Sequence, residues 1–377
     1  MTTQGQTDET FLRRALDLAR KGVGLTSPNP CVGAVIVYSS GAVAGEGSHT
    51  YEGVKHAEIL AFEQAGERAR GATLYINLEP CSHVGRTGPC ADALIAAGIK
   101  RVVACMDDPN PAVSGKGFER LRAAGIAVTS GILEEEARTL NEWFAKYIRQ
   151  HTPLVTLKAA MTLDVKIAPP ADESYNPTAL GAGGATGGWI TSDAARTHVH
   201  ELRHQHDAIM AGVGTVIADD PLLTDRSGRA RRRPLLRVIL DSRLRLPLHS
   251  RIVQTANNDV LVLCSFAEEK RKLQLQQLGI RVQQIPVGGP EGRPDLAAVA
   301  RCLGEMAITS VLIEGGAMVN WAALDRALWT KYFCITRPRF SQGPDRCRSL
   351  TAKDSLASAT RLTCARLSCI GSERISL

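Results

Sequence analysis

The sequence predicts an α/β protein made of two domains. The chain has 377 residues, which is long for a single domain. Apolar runs typical of strands alternate with runs of helical periodicity through both halves of the chain. A boundary near Gln150 separates the two series, so we predict a first domain over residues 1–150 and a second over residues 151–377.

In the first half, a helix and a hairpin precede a regular alternation of helices and strands. The helix over residues 11–22 ends at Gly22, and the two strands within residues 31–49 flank a turn at Ser40-Gly41. The elements predicted after them are a helix over 56–71, a strand over 72–79, a helix over 89–98, a strand over 99–107, a helix over 117–126, a strand over 127–132 and a closing helix over 133–150.

The second half alternates in the same way. The predicted strands lie over 151–164, 207–217, 236–241, 259–264 and 310–316, and the predicted helices over 192–205 and 295–306. Residues 168–188 are rich in proline, glycine and alanine, which is typical of a loop. This order again favours an α/β domain.

Composition narrows the function classes. Hydrophobic residues make up 44% of the chain and charged residues 22%, which suits a globular protein with a core. No apolar stretch reaches the ~18 residues of a membrane span, and the N-terminus lacks the apolar core of an export signal. We therefore expect a cytoplasmic protein without a membrane partner, which also fits ten cysteines at irregular spacings.

The net charge of +7 does not by itself indicate a nucleic-acid partner. The one dense basic run, residues 226–234, is typical of a solvated loop. Nucleic-acid surfaces combine spread basic residues with stacking aromatics, and aromatic residues make up only 5% of this chain. A few local arginines suit small acidic or phosphorylated substrates, so we expect no nucleic-acid partner.

One set of residues in the first half predicts a catalytic zinc site. His56 and Glu58 stand two apart at a helix start, and Cys81 and Cys90 each follow a proline. Cys90 also begins a helix, where free N–H groups favour a thiolate. One nitrogen and two sulfurs leave the fourth position of a tetrahedral zinc ion for water. Glu58 would then relay protons without binding the metal, as in the zinc nucleobase deaminases.

Other interpretations of these residues remain open. His49 or His83 would make the site structural by supplying a fourth protein ligand, and the cysteines would alternatively be two buried thiols. The histidine-x-glutamate spacing alone is weak evidence. Its order with two cysteines, a strand before the first and a helix at the second, is specific. Eight residues separate the cysteines here, against two in the usual deaminase pattern.

Longer stretches resemble the bifunctional deaminase/reductase family of riboflavin biosynthesis. In the first half these are SPNPCVGAVIV, HAEILAF, LEPCSHVGRTGPCADALIAAGI and DPNPAVSGKGFERLRAAGI, and the long cysteine spacing is that family's own variant. In the second half, WITSDAARTHVHELRHQHDAIMAGVGTVIADDPLLTDR and VLIEGG resemble the reductase part. The resemblance implies a cytidine-deaminase-like three-layer domain followed by a dihydrofolate-reductase-like α/β domain.

The resemblance implies two consecutive reactions on small phosphorylated pyrimidines. The first is the zinc-dependent hydrolytic deamination of 2,5-diamino-6-ribosylamino-4(3H)-pyrimidinone 5′-phosphate, with Glu58 as the proton shuttle. The second is the NADPH-dependent reduction of the ribosyl group to a ribityl chain. Asn29 would hold the first substrate, although a turn asparagine before proline is an equal alternative. We also expect a homo-oligomer, either a dimer or a tetramer.

The resemblance also implies the residues of the reductase site. Lys158 and Glu314 are charged residues in apolar strands and are assigned to catalysis, although an ordinary strand lysine is the alternative for Lys158. The strand, diglycine and helix of SVLIEGGAMVNWAAL would present N–H groups to a phosphate of NADPH. The residues implied in cofactor binding are Ala160, Trp189, Thr215, Asp219, Ser242, Gly316, Ala317, Met318, Val319, Asn320, Trp321 and Ala322. Those implied in substrate binding are Gly187, Arg203, Leu223, Arg226 and Glu314.

Departures from the family pattern weaken the reductase prediction and leave one alternative open, a deaminase with a degenerate reductase domain. Val165 stands where the family has glycine, Gly187 stands where serine is common, and the loop over 168–188 is long. Beyond residue 328 the chain is only loosely similar to the family.

Two rival classes of protein explain fewer of these sequence features. A tRNA or DNA deaminase would share the zinc motif but leave the second half without a role, and a zinc-stapled binding protein would need neither Glu58 nor the IEGG segment.

Overall fold

A computed structural model describes most of the chain. The described residues are 3–83, 88–162, 166–168, 193–325, 330–337, 348–349 and 368–369. The chain divides into two compact units. Residues 1–152, 230–233 and 307–309 form the first, and residues 153–229, 234–306 and 310–377 form the second. None of the helices in the described part is long and apolar enough to cross a membrane.

The first unit is built on a five-stranded sheet. Its strands are β1 (Gly33–Val37), β2 (Val43–Ser48), β3 (Thr73–Ile76), β4 (Arg101–Ala104) and β5 (Ala127–Ser130), in the order β2-β1-β3-β4-β5. Strand β1 is antiparallel to both β2 and β3, and β3, β4 and β5 run parallel. The helices are α1 (Thr3–Arg20), α2 (Ala57–Ala65), α3 (Cys90–Ala97), α4 (Lys116–Ala123), α5 (Glu134–Leu140) and α6 (Glu142–Gln150).

Helices cover both faces of this sheet because successive strand residues point to opposite sides. Ile36 belongs to a buried cluster that includes Ala61 of α2, whereas its neighbour Val35 belongs to another cluster that includes Leu12 of α1. All four side chains are fully buried. The result is the predicted three-layer arrangement of helix, sheet and helix.

Helix α2 lies unusually close to β2 because that strand contains two glycines. A Cβ atom on Gly45 would lie 2.1 Å from the carbonyl oxygen of Ala61, and one on Gly47 would lie 2.0 Å from that of Ala57. Glycine alone permits this approach of helix backbone to strand. The two positions therefore set where α2 and the residue before it, His56, lie on the sheet.

The closing helix predicted over residues 133–150 is wrong in one respect, because it is two helices that meet at Asn141. Asn141 has φ −111° and ψ 18°, outside the helical region. Its buried carboxamide accepts a hydrogen bond from the N–H of Cys31 at 2.8 Å and donates one to the carbonyl of the same residue at 3.0 Å. These long-range bonds fix the break between α5 and α6.

The second unit is built on an eight-stranded sheet. Its strands are β6 (Leu154–Thr162), β8 (Ala208–Gly212), β9 (Leu236–Leu240), β10 (Val260–Cys264), β11 (Arg281–Gln284), β14 (Ser310–Ile313), β15 (Lys331–Arg337) and β17 (Ser368–Cys369), in the order β11-β10-β9-β8-β14-β6-β15-β17. All neighbouring pairs are parallel. The carboxyl ends of these strands therefore share one edge, the usual place for ligands in such sheets.

Short strand pairs and helices complete the second unit. The short pairs are β7 (Lys166–Ala168) with β16 (Arg348–Ser349), and β12 (Val287–Gly289) with β13 (Arg293–Pro294). The helices are α7 (Asp193–Gln205), α8 (Val213–Asp219), α9 (Arg251–Gln254), α10 (Glu269–Gln277), α11 (Leu296–Glu305) and α12 (Ala317–Asp325). The described parts of the tail, β15 and β17, extend the sheet beside β6.

One predicted strand of the second half is wrong in its second part. Residues 207–217 form β8 only to Gly212, after which α8 begins. The strand and the helix meet without a loop between them. The apolar run therefore continues across the junction, and the sequence pattern does not mark where the strand ends. Val165, Gly187, Trp189 and the loop residues after 168 lie outside the described residues.

Two candidate active sites

The three predicted zinc ligands meet in the first unit. The Nδ1 atom of His56 lies 3.1 Å from Sγ of Cys90 and 3.6 Å from Sγ of Cys81, and all three donor atoms lie within 4.8 Å of one another. In a tetrahedral zinc site, bonds of about 2.0–2.1 Å to nitrogen and about 2.3 Å to sulfur place ligand atoms roughly 3.5–3.8 Å apart. Zinc therefore fits this donor set with small outward adjustments.

Local structure explains why these side chains converge. His56 is the residue before α2 and has extended backbone angles, and Cys90 is the first residue of α3. The N–H of Cys90 points to Sγ of Cys81 at 3.4 Å. His56 and Cys90 at two helix starts, and Cys81 in the segment that follows β3, thus each direct one donor atom towards the same site.

The two thiols differ in acidity. Hydrogen bonds from Cys90 and from His56 lower the pKa of Cys81 to about 4. The negative Cys81 sulfur and burial in turn raise the pKa of Cys90. Zinc binding would displace the remaining proton from Cys90.

Among the described residues, neither His49 nor His83 is placed to act as the fourth protein ligand of a structural zinc site. Both ring nitrogens of His49 have partners, since Nδ1 lies 2.9 Å from the carbonyl oxygen of Lys55 and Nε2 lies 3.1 Å from Nδ2 of Asn29. His83 is exposed and is not part of the cluster of donor atoms. The fourth position is left for water or substrate, as in catalytic zinc sites.

Glu58 lies on the first turn of α2 and is 3% exposed. Burial raises the pKa of this carboxyl above its usual range, against the opposing effect of His56. Its carboxylate is not among the clustered donor atoms. A buried carboxyl with a raised pKa beside a metal is suited to carrying a proton.

His49 orients Asn29, the predicted substrate-binding residue. Because Nδ1 of His49 faces a carbonyl oxygen, that nitrogen carries the proton and Nε2 accepts a hydrogen bond from the amide group of Asn29. The carboxamide oxygen of Asn29 is thereby turned away from His49. The sequence placed both residues in the first half but gave no sign of this contact.

Glu79, two residues before Cys81, is a buried residue that the sequence analysis missed. Its carboxylate accepts hydrogen bonds from the backbone N–H groups of Asp108, Gly115, Gly117 and Phe118 at 2.8–3.2 Å. These bonds attach the DPNP loop and the start of α4 to the segment that carries Cys81. The available signal was a charged residue at the end of an apolar strand.

The predicted catalytic residues of the second unit also meet. Glu314, directly after β14, pairs with Arg203 of α7 through two bonds, at 2.7 Å and 3.0 Å. Nζ of Lys158 lies 3.7 Å from the same carboxylate. Burial alone would raise the pKa of Glu314, but Arg203 and then Lys158 lower it below its usual range. The carboxylate is therefore negatively charged at neutral pH.

Helix α7 also holds the loop that carries Arg226. The guanidinium of Arg203 donates to the carbonyl oxygen of Thr224 at 2.8 Å, and Nδ1 of His204 lies 3.1 Å from the carboxylate of Asp225. Arg226 itself is exposed, whereas Leu223 is 4% exposed and packs in the core. Only the backbone of Leu223 is thus able to face a substrate.

A cavity of about 510 Å³ opens beside the carboxyl ends of β8 and β9 and beside α12. The predicted cofactor residues that line it are Ser242, Met318, Val319, Trp321 and Ala322. Thr215, Asp219, Gly316 and Asn320 are described but do not line it, and for Ala160 and Ala317 the structure describes only the backbone. Residues that the sequence analysis missed include Gly212, Gly214, Arg243, Arg245 and Arg293.

The cavity has two features that suit a phosphate group, namely exposed arginines and a nearby helix start. Backbone and helix approach closely there, because a Cβ atom on Gly315 would lie 2.8 Å from Cβ of Val319. The N-terminal end of α12, a helix of nine residues, follows this diglycine. Helix starts of this kind bind phosphate through free N–H groups. The residues present therefore fit NADPH.

Comparisons with known proteins agree over nearly the whole chain. Residues 153–375 match the RibD C-terminal domain, and residues 5–106 match the cytidine and deoxycytidylate deaminase zinc-binding region. The riboflavin biosynthesis protein RibD of Actinobacillus pleuropneumoniae is 41% identical over 338 residues, which cover 89% of this chain and 85% of that protein. The chain belongs to the RibD family.

Solved structures of RibD proteins have the same fold. RibD of Acinetobacter baumannii superposes with a TM-score of 0.79 at 36% identity, covering 95% of this chain and 93% of that one. The deaminase/reductase of Thermotoga maritima superposes with a TM-score of 0.71 at 39% identity, covering 86% and 85%. The predicted fold class, a cytidine-deaminase-like domain and a RibD reductase domain of the dihydrofolate-reductase type, is therefore confirmed, as is the enzyme class of zinc-dependent deaminase and reductase.

Proposed function

We propose that this chain catalyses two consecutive steps of riboflavin biosynthesis. The first replaces the 2-amino group of 2,5-diamino-6-ribosylamino-4(3H)-pyrimidinone 5′-phosphate by oxygen from water and releases ammonia. The second reduces the ribosyl group of that product to a ribityl chain with NADPH. The observation that carries the proposal is the convergence of His56, Cys81 and Cys90 beside the buried Glu58 in a chain whose remainder matches the RibD reductase domain.

In the deaminase, His56, Cys81 and Cys90 would hold zinc, which lowers the pKa of water from about 15.7 to near 7 when it is bound in such sites. Glu58 accepts the proton that the attacking water loses. It passes this first proton to the ring nitrogen, and it then carries the second proton, from the hydroxyl group now bound to carbon, to the amine, which leaves as ammonia. Asn29, oriented by His49, holds the pyrimidine in place.

In the reductase, Glu314 and Lys158 form a charged pair that would act on the sugar. Arg203 uses its guanidinium on Glu314 and on a backbone carbonyl, so its main effect is to orient the carboxylate. The exposed Arg226 is then the better cation for the substrate phosphate. NADPH would supply the hydride from the cavity beside α12.

Two further parts of the proposal concern the protein in the cell. We propose a cytoplasmic location, which would keep the thiols of Cys81 and Cys90 reduced for the metal. We also propose a homo-oligomer, a dimer or tetramer, which light scattering of the purified chain would measure.

Product analysis by mass spectrometry tests the proposed reactions. Without NADPH, the purified chain should convert the diaminopyrimidine to a product in which one NH is replaced by oxygen. With NADPH, that product should gain two hydrogens. Cytidine should stay unchanged as the control substrate. A product that never gains hydrogen would favour the alternative of a deaminase with a degenerate reductase domain.

A further inference from the structure

The turn after β9 places two arginines at the cofactor cavity. Arg243 and Arg245 both line this cavity and both are exposed. Leu244 between them is 2% exposed, packs in the core, and has a φ of +56°. The buried leucine anchors the turn, so the side chains on either side of it lie at the surface of the cavity.

This turn is held in place by several hydrogen bonds. The carboxylate of Asp241 accepts the N–H of Leu246 at 2.7 Å. The guanidinium of Arg271, on α10, donates to the carbonyl oxygens of Leu244 at 3.1 Å and of Leu246 at 2.5 Å. A ligand that binds this turn therefore does not have to order the backbone, which favours affinity.

The two guanidinium groups have no carboxylate partner in the part of the chain that the structure describes. The one recorded side-chain contact of Arg243 is with the ring of Phe266, at 5.5 Å. Arg293, a third arginine of the same cavity, differs because it pairs with Glu291 at 2.8 Å. Two unneutralised cations on a fixed turn are suited to a doubly charged phosphate.

The two phosphate groups shared by NADPH and NADH have another partner in the cavity. Met318 and Val319, in the first turn of α12, line the cavity, and the N–H groups of this helix start would face the pyrophosphate. The phosphate that only NADPH carries is the one on the 2′-oxygen. We propose that Arg243 and Arg245 bind this 2′-phosphate and thereby make the enzyme prefer NADPH over NADH, an inference that rests on the proposed reductase function.

Binding measurements on the purified full chain test the inference without relying on turnover. The variants are R243Q and R245Q, singly and together, and the control is R281Q, which removes an exposed arginine on β11 that does not line the cavity. Calorimetry would give the Kd of NADPH, of NADH and of adenosine 2′,5′-bisphosphate. Charge-assisted hydrogen bonds predict that each single variant weakens NADPH and the bisphosphate about 10- to 100-fold. The NADH affinity of these variants should change less than about threefold, and R281Q should keep the wild-type affinity for both dinucleotides within the same factor.

The outcomes separate this inference from the proposed function. A loss of NADPH affinity with NADH unchanged supports the assignment. Equal losses for both dinucleotides, or no loss in the double variant, would overturn it while leaving the reductase intact. If the wild-type chain binds neither dinucleotide, the proposed reductase itself fails. Circular dichroism of each variant would show that the turn after β9 still folds.

Discussion

Three buried glutamates show how surroundings decide what a side chain does. Glu58 is buried beside the zinc ligands, and burial raises its pKa, which suits a proton carrier. Glu314 is bound by Arg203 in a two-bond pair and keeps its charge. Glu79 receives four backbone N–H groups and has a structural role. Residue type and burial alone do not separate these roles; the hydrogen-bond partners do.

Replacing Glu58 by glutamine should abolish proton transfer while leaving zinc in place. Glutamine keeps the size of the side chain but cannot carry the proton, so the rate of deamination should fall by about 10²- to 10⁴-fold. Steady-state kinetics and metal analysis of the same sample would measure both effects. Glu63→Gln is a matched control, because Glu63 lies on the same helix with half of its side chain exposed. Near wild-type deamination by E58Q would contradict the shuttle role.

The sequence predicted the zinc ligands and Glu58 but not their supporting residues. Ligands follow a short pattern with a definite order, because the metal demands particular atoms. His49 and Glu79 have roles that depend on contacts with residues 20 and more positions away, such as Asn29 and Gly117. A single sequence carries no direct record of such contacts, so Glu79 was missed and His49 was considered only as a fourth zinc ligand.

At the scale of elements, backbone packing controls the metal site. Helix α2 carries Glu58 and begins next to His56, and its distance from the sheet depends on Gly45 and Gly47. On the other face of the sheet, Gly33 plays the same part under α1, where a Cβ atom would lie 2.1 Å from the carbonyl oxygen of Ala15. Glycines thus allow a helix to approach the sheet closely on both faces, but only α2, on the face of Gly45 and Gly47, begins beside a predicted zinc ligand.

A Gly47→Ala substitution should push α2 outward and impair zinc binding. The added methyl group collides with helix backbone, which cannot rotate away, so we expect a loss of stability of about 1–3 kcal/mol and weaker zinc binding. Gly33→Ala is the control, since it strains the fold in the same way but moves α1, which holds no ligand. Denaturant unfolding and zinc titration would compare them. Equal zinc affinity in the two variants would contradict the assigned role of Gly47.

The elements that the sequence analysis missed share a physical cause. Helix α10, EKRKLQLQQ, is strongly polar and shows little of the apolar periodicity on which a prediction depends. The break at Asn141 is fixed by a hydrogen bond to the distant Cys31. The junction of β8 with α8 lies inside one continuous apolar run, so the sequence pattern does not change there. Long amphipathic or apolar segments, such as α1 and β14, were predicted because their periodicity is local.

At the scale of the whole molecule, each compact unit contains one complete site. The zinc ligands lie within residues 1–152, and the cofactor cavity is lined by residues of the second unit. Each unit has its own sheet and its own buried clusters. Loss of one site should therefore leave the other able to bind its ligand.

Cys81→Ser or Cys90→Ser should release zinc and end deamination while NADPH still binds. A serine hydroxyl is a poor zinc ligand compared with a thiolate, and two remaining donors hold the metal weakly. Metal analysis would give the zinc content, and NADPH fluorescence would report the second site. A variant that keeps stoichiometric zinc would exclude that cysteine as a ligand. Loss of NADPH binding as well would show that the two units depend on each other.

The last prediction concerns whether the second unit is active. With the deaminated substrate and NADPH supplied, the wild-type chain should consume NADPH, because Lys158, Arg203 and Glu314 are assembled as a charged cluster. Glu314→Ala should lose this activity, since it leaves two partly buried cations without their carboxylate. Gln283→Ala, an exposed change on β11, is the control and should turn over normally.

The assay also separates two causes of an inert wild type. If Glu58-dependent deamination is normal while NADPH is not consumed, the chain is a deaminase with a degenerate reductase. The variant Val165→Gly would then show whether Val165 is the departure from the family pattern that causes the inactivity. Glycine adopts φ > 0 at far lower cost than valine, so recovery in V165G would assign the defect to the backbone at that position. Continued inactivity would leave the divergent residues after 328, together with Gly187 and the long loop over 168–188, as the remaining departures.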